Sequence, residues 1–150
     1  MSEKPGFLAR RFQQIAVAVF HAEVGAAGFE LTPVQYSALT ALAAHPGVDQ
    51  ATLAGLIAFD RTTMGGVVER LAQRGLVSRQ PHPTDRRARA LEITAAGADL
   101  LAHVEPAVLR AQVAMLSGLD AAEASDFLRL LAKAVEGCNG LSRAPLQALT

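Results

Sequence analysis

A chain of 150 residues, 51% apolar and 19% charged, has material for one domain with a substantial core, extended by helices used for assembly. No apolar run reaches the ~18 residues of a membrane span, and the start of the chain lacks the apolar centre of a signal peptide, so a cytoplasmic protein is expected. The single cysteine, Cys138, excludes an internal disulfide and a cysteine-rich zinc site, and the formal net charge is zero.

The first periodic segment runs from Gly6 to Ala26, where Leu8, Phe12, Ile15 and Val19 form the apolar stripe of a long amphipathic helix closed by Gly25 and Gly28. Leu31-Thr32-Pro33 restarts a helix, with Thr32 as its cap and proline at the favoured first position, and His45-Pro46-Gly47 stops it. Asp49 caps a short helix over about 50–58. Asp60 caps the next, over about 61–74, and Gly75 supplies its left-handed stop. Two short helices parted by a turn at Phe59-Asp60 read as a helix-turn-helix.

After Gly75 the period changes to two. The strand-like runs Leu76–Arg79 and Ala90–Ile93 bracket the turn-rich, charged stretch Pro81–Arg87, which predicts a β-hairpin with a basic tip, a wing. Thr94 caps a long helix from Ala95 to about Ser117, in which Pro106 predicts a kink or break. Asp120 and Glu123 have the spacing of a capping box and open a last helix carrying Phe127, Leu130, Leu131 and Ala134. The aperiodic tail 139–150 is expected to be flexible. The predicted fold is therefore mainly α with a small β-wing. A winged helix-turn-helix occupies 31–94, and helices from 6–28 and 95–138 are left for dimerisation.

Charge is distributed unevenly. Between Asp60 and Arg89 lie seven arginines against three acids, a net of +4 that leaves −4 on the other 120 residues, and the chain's only lysines are Lys4 and Lys133. Arginine reaches phosphates and guanine edges through a planar fork, so this clustering is that of a nucleic-acid recognition surface. On the second helix of the pair, Met64, Val67, Val68 and Leu71 mark the core side, so Thr62, Gly66, Glu69, Arg70 and Gln73 point away from it. Arg61, Thr62 and Thr63 occupy the first turn, from which such helices reach base edges. Arg86, Arg87 and Arg89 crown the wing, placed to enter a minor groove, while Asp85 holds a neighbouring arginine or the loop backbone. The pair Gly65-Gly66 costs the helix about 1 kcal/mol per glycine, and leaves open both a close backbone approach and mere slack.

Three segments carry a family resemblance: Leu31–Tyr36, Leu71–Arg79 and, most specifically, Thr84–Gly97. In this order and spacing the chain resembles the MarR-type multiple-antibiotic-resistance regulators over roughly residues 8–137. The resemblance implies a homodimer, a near-palindromic double-stranded DNA operator, and Asp60 as an acid able to pair with the wing arginine Arg87. It also implies a small-molecule effector, an aromatic acid by family habit. His21 and Tyr36, polar groups on otherwise apolar segments, are candidate ligand contacts, with Arg11 as a carboxylate partner. Where relatives often carry a Thr-Arg pair this chain has Gly65-Gly66, which moves base readout to Arg61, Thr62 and Arg70 or onto the wing. A repressor released by its ligand is expected. A ligand-independent or activating regulator of the same fold, and a protein-interaction module, are the alternatives. His21, His45, His82 and His103 lack metal-ligand spacing, and neither a phosphate loop nor a nucleophile elbow is present, so neither an enzyme nor a cofactor is expected.

Overall fold

The structure, a computed structural model, describes residues 3–149; Thr150, the last residue of the tail, lies outside them. Six helices and one hairpin follow in order: α1 (Pro5–Ala26), α2 (Pro33–Ala44), α3 (Gln50–Leu56), α4 (Arg61–Gln73), β1 (Val77–Pro81), β2 (Arg89–Ile93), α5 (Ala95–Met115) and α6 (Ala121–Gly137), then a 3-10 turn at Asn139–Leu141. Among the described residues no helix is long and apolar enough to cross a membrane. The chain divides into two compact units, one comprising the chain to Pro33 with His103–Leu131, the other Val34–Ala102 with the chain from Ala132 onward.

In the first unit the core is made at helical spacing. Phe20 and Val24 of α1 are buried, as are Leu31 and the α5 row Val104, Ala107, Val108 and Ala111. Glu23 accepts from Arg110 at 3.0 Å, and Phe12 meets Phe127 edge-on with centroids 5.3 Å apart. The apolar stripe of α1 is covered only in part: Leu8 is 48% and Ile15 44% exposed, Phe12 and Val19 are half-buried, and the fully buried positions lie one step round the helix at Phe20 and Val24. Pro106 produces no break, since α5 runs through it. The carbonyl of Ala102, which a proline four residues later cannot satisfy, sits on an exposed residue where water can reach it.

The second unit is the winged part. Ala38, Leu39 and Leu42 of α2, Leu53 and Ala54 of α3, and Met64, Val67, Val68 and Leu71 of α4 form its core, closed by Leu76, Val77, Ala90 and Leu91 from the hairpin. Full burial of a leucine- or methionine-sized side chain stabilises by about 1.5–3 kcal/mol. The hairpin is antiparallel, with Val77 opposite Ile93 and Arg79 opposite Leu91. Leu91 also pairs with Val48, its N–H donating to the Val48 carbonyl at 2.9 Å, which ties the wing to the entry of α3.

Three helix ends share one device. After α1, α3 and α4 a residue in the left-handed region follows the cap, and two crossed backbone hydrogen bonds close the turn. After α1, for example, the Gly28 N–H donates to the Gly25 carbonyl and the Phe29 N–H to the Val24 carbonyl. The left-handed residue is Gly28 after α1 and Gly75 after α4, but Ala58 (φ 52°) after α3. An alanine carries no stop signal in the sequence, so helical spacing predicts this helix as far as residue 58, two residues beyond its end at Leu56. At the other ends, Asp49 accepts from the Thr52 N–H at 2.7 Å. Asp120 and Glu123 bond reciprocally at 2.9 Å each, completing the expected capping box. The Thr94 hydroxyl donates to the Gly75 carbonyl and accepts from the Gly97 N–H.

Residues 139–147 of the tail bond back onto the chain. The Asn139 side chain both donates to and accepts from the backbone of Leu146 (3.0 and 2.8 Å), and the Gln147 N–H donates to the Gly55 carbonyl at 2.8 Å. The absence of a period could not reveal side chain-to-backbone bonds of this kind.

Two stability measurements test these assignments. Ala58→Gly removes a left-handed alanine and should stabilise by about 1 kcal/mol. Gly97→Ala would drive a Cβ into the Leu76 carbonyl oxygen and the Ile93 side chain, and should destabilise by at least ~2 kcal/mol in urea melts. Equal effects of the two would contradict the described turn and packing. The Asp49 carboxyl is held below the ordinary aspartate value of 3.8, chiefly by the Thr52 N–H and then its hydroxyl. Its contribution is therefore present above the unfolded value and disappears as pH falls through the folded one. Asp49→Ala should cost about 1 kcal/mol at neutral pH, and the gap to wild type should close in strongly acidic buffer.

Candidate nucleic-acid interface

The first turn of α4 is organised by one carboxylate. Asp60 Oδ1 accepts from the Thr62 N–H and from the Thr62 hydroxyl, both at 2.9 Å, and the Thr63 hydroxyl donates to the Asp60 carbonyl at 3.1 Å. The Thr62 N–H is the main cause holding the Asp60 carboxyl below its ordinary range, followed by the Thr62 hydroxyl, with Arg143 adding to it. A negative charge here also complements the positive end of the helix dipole. Both threonine protons are thus committed inward, so toward solvent these side chains present oxygen lone pairs and methyl groups. Arg61, Thr62 and Thr63 are all exposed, as are Gly66, Glu69, Arg70 and Gln73, opposite the buried row of Met64, Val67, Val68 and Leu71. The face derived from helical spacing is the face in the structure.

Glu69, an acid on that face, is occupied. Arg79 of β1 donates to its Oε2 at 2.7 Å and Gln73 to its Oε1 at 3.3 Å. An exposed pair of this kind is worth about 1 kcal/mol or less, so its effect is to mask a charge more than to hold the fold. Of the glycine pair, a Cβ on Gly65 would lie 3.3 Å from the Gln50 amide of α3, a tight fit. At Gly66 the nearest group is the Arg70 guanidinium at 3.9 Å, so the space there is open toward the exposed face.

The wing tip is built on its own side chains. His82 Nδ1 accepts from the N–H groups of Thr84 (3.3 Å) and Asp85 (3.1 Å), and Asp85 Oδ1 accepts from the Arg87 N–H at 2.9 Å. Of the two roles open to Asp85, the structure has it holding loop backbone. Arg86, Arg87 and Arg89 stay exposed. Arg79, Arg87 and Arg89 converge with Asp49 and Gln50 on one hollow of about 490 Å³ beside the start of α3. Among the described residues, only Arg79 of the seven clustered arginines has an ion pair.

One expected contact is replaced. Asp60 pairs not with Arg87 but with Arg143 of the tail, at 3.2 Å. Arg87 is exposed at the rim of the hollow beside α3, and the bonded tail brings Arg143 to the start of α4. Sequence reasoning missed Arg143, because a lone arginine in an aperiodic tail carries no signal. It also missed the scaffolding role of His82, which its position two residues before a threonine and three before an aspartate could have suggested.

The three ligand candidates are divided between the two units. Arg11 and His21 are exposed on α1, and ten residues of helix separate them by about 15 Å along the axis. The Arg11 guanidinium lies over the Phe7 ring at 5.9 Å, and His21 meets Phe20 edge-on at 5.9 Å. Tyr36 belongs to the other unit, where it lines a hollow of about 450 Å³ with Thr40, His45, Leu56, Ile57 and Leu146. Within the first unit, Gln13, Val17, Phe20, Gln112 and Met115 help to line a smaller hollow of about 140 Å³.

Comparison with known proteins gives this geometry a family. The model of the MarR family matches residues 31–88. The HTH-type transcriptional repressor NicR of Pseudomonas putida is 35% identical over 136 residues, covering 91% of this chain and 85% of the relative. Among solved structures, Bordetella bronchiseptica BpsR, described as regulated in DNA binding by 6-hydroxynicotinic acid, superposes with a TM-score of 0.82 at 31% identity, over 89% of this chain and 94% of that one. The transcriptional repressor CouR, solved on a 23-mer DNA duplex, gives 0.81 at 30% identity, over 89% and 94%. The chain belongs to the MarR family of transcriptional regulators.

Proposed function

We propose that this protein is a homodimeric repressor that binds double-stranded DNA in the cytoplasm and is released by a small aromatic acid. The observation that carries the reading is the set of arginines at 61, 70, 74, 86, 87 and 89, all exposed and, among the described residues, without an ion pair. Exposed cations unused by the fold, on a capped helix and a wing, suit phosphates and base edges.

In the dimer, two α4 helices enter successive major grooves about 34–36 Å apart on a near-palindromic site. Arg61, Thr62, Thr63, Arg70 and Gln73 face the groove, and Arg86, Arg87 and Arg89 reach the flanking minor grooves. Dimerisation is supported by the apolar side chains left in solvent: Leu8 and Ile15 on α1, Leu109 and Val113 on α5, and Leu128, Leu130 and Val135 on α6. Helix α6 buries no residue at all. BpsR and CouR support the DNA and the ligand by analogy. The hollow near Phe20 and Gln112, about 140 Å³, is of a size that can hold a single aromatic ring. A ligand bound better by the DNA-incompetent arrangement lowers operator affinity by linkage.

Gel shifts on the DNA upstream of the protein's own gene test the first part. Arg87→Ala should weaken binding at least ~10-fold, about 1.4 kcal/mol, with the dimer intact, and wild-type affinity should fall steeply with salt. An unchanged affinity would remove the wing from the interface, and a flat salt response would place the arginines away from phosphate. For the ligand, a thermal-shift series of aromatic acids including 6-hydroxynicotinic acid should yield at least one that both raises the melting temperature and weakens the gel shift. An acid that stabilises the protein and leaves DNA binding untouched would argue against release by ligand.

A further inference from the structure

We infer that Arg143, in the C-terminal tail, is a further phosphate-binding residue of the duplex-binding surface, brought to the recognition helix by a tail anchored on the helix-turn-helix. The inference rests on the proposed DNA-binding function. Two anchors hold the segment. Asn139 clamps the backbone of Leu146 on both its donor and acceptor sides, closing residues 139–146 into a loop. The Gln147 N–H then bonds the Gly55 carbonyl of α3, and the Gln147 side chain fills the space over Gly55, where a Cβ would meet its Oε1 at 2.9 Å. Between the anchors Arg143 reaches Asp60 Oδ2 at 3.2 Å while its side chain stays 91% exposed, and it shares a hollow of about 110 Å³ with Arg61.

The chemistry follows from what each atom has left to do. Asp60 caps α4 with a carboxylate, and that charge stands at the helix end that approaches DNA, where it repels phosphate. Oδ1 is taken up by Thr62 and Oδ2 by Arg143. A guanidinium carries five N–H donors in a rigid fork, and the bond to Asp60 uses one of them. The remainder face solvent beside Arg61, in the geometry that binds a phosphate oxygen pair. Because Asp60 and the two anchors already hold the side chain and its loop, little further ordering is needed when a phosphate arrives.

The experiment measures affinity for a mixed-sequence duplex by fluorescence anisotropy over a series of salt concentrations. It compares wild type, Arg143→Ala, Arg143→Lys, Asp60→Asn and the double variant Arg143→Ala with Asp60→Asn, each with its melting temperature. Asparagine caps a helix about as well as aspartate, so α4 is preserved when the charge is removed. Arg143→Ala should reduce the slope of log affinity against log salt by about 0.9 for each phosphate that is no longer neutralised. Arg143→Lys should retain the slope, and the reduction should persist in the Asp60→Asn background. An unchanged slope in Arg143→Ala overturns the inference. So does a reduction that vanishes once Asp60 is neutral, since Arg143 would then only shield the cap. If wild type ignores the duplex at low salt, the DNA-binding reading falls and this role with it.

Discussion

The turn between α3 and α4 is the constraint on which the winged unit depends. In the space of four residues, Ile57 to Asp60, the chain must end one helix, reverse its local direction and begin another whose first turn is to be presented outward. Ala58 accepts a left-handed conformation costing about 1–2 kcal/mol. Crossed bonds hold it there, from the Phe59 N–H to the Ala54 carbonyl and from the Ala58 N–H to the Gly55 carbonyl. Asp60 follows at once as the cap of α4. With the stop and the start this close, the direction of α4 is set by backbone hydrogen bonding, and on its outer face Arg61 and Arg70 make no ion pair among the described residues. The tail reinforces the same spot, since Gln147 bonds the Gly55 carbonyl and Arg143 the Asp60 carboxylate.

The acids within the cationic stretch make sense on this basis. Each of the three has a structural partner: Asp60 binds Thr62 and Arg143, Glu69 binds Arg79 and Gln73, and Asp85 binds the wing backbone at Arg87. Six of the seven arginines, by contrast, make no ion pair among the described residues. Exposed ion pairs contribute about 0–1 kcal/mol, so the fold would be little weakened if those arginines were absent. Their cost is mutual repulsion, which only an external anion relieves.

Most of this organisation was legible in the sequence, because it is written in short-range chemistry. Caps at Asp49, Asp60 and Asp120, glycine stops at Gly28 and Gly75, and the change from helical to strand period after Gly75 each depend on residues within one turn of one another. The outward face of α4 followed from the positions of Met64, Val67, Val68 and Leu71 alone. Features depending on residues far apart in the chain were not legible. The pairing of Asp60 with Arg143 spans 83 residues, and the anchoring of Gln147 on Gly55 is a backbone bond that no residue type announces. The stripe on α1 illustrates a different limit. Periodicity finds apolar faces but cannot say which is covered by the chain itself, and Leu8 and Ile15 stand on a face this chain leaves open.

The open apolar faces and the divided charge bear on one another. A 17-residue helix that buries none of its side chains, as α6 does, is marginal in water unless something packs against it, and a second copy of the chain is the simplest source of that surface. Doubling the chain also doubles the charge pattern. A formally neutral protein gains little attraction to DNA from its net charge, and beyond a Debye length of about 8 Å salt screens what remains. With +4 gathered between residues 60 and 89 and −4 on the remainder, the attraction is concentrated on the winged faces. Neutrality overall is thus compatible with strong binding through two matched faces, and it disfavours every orientation in which those faces point away from the duplex.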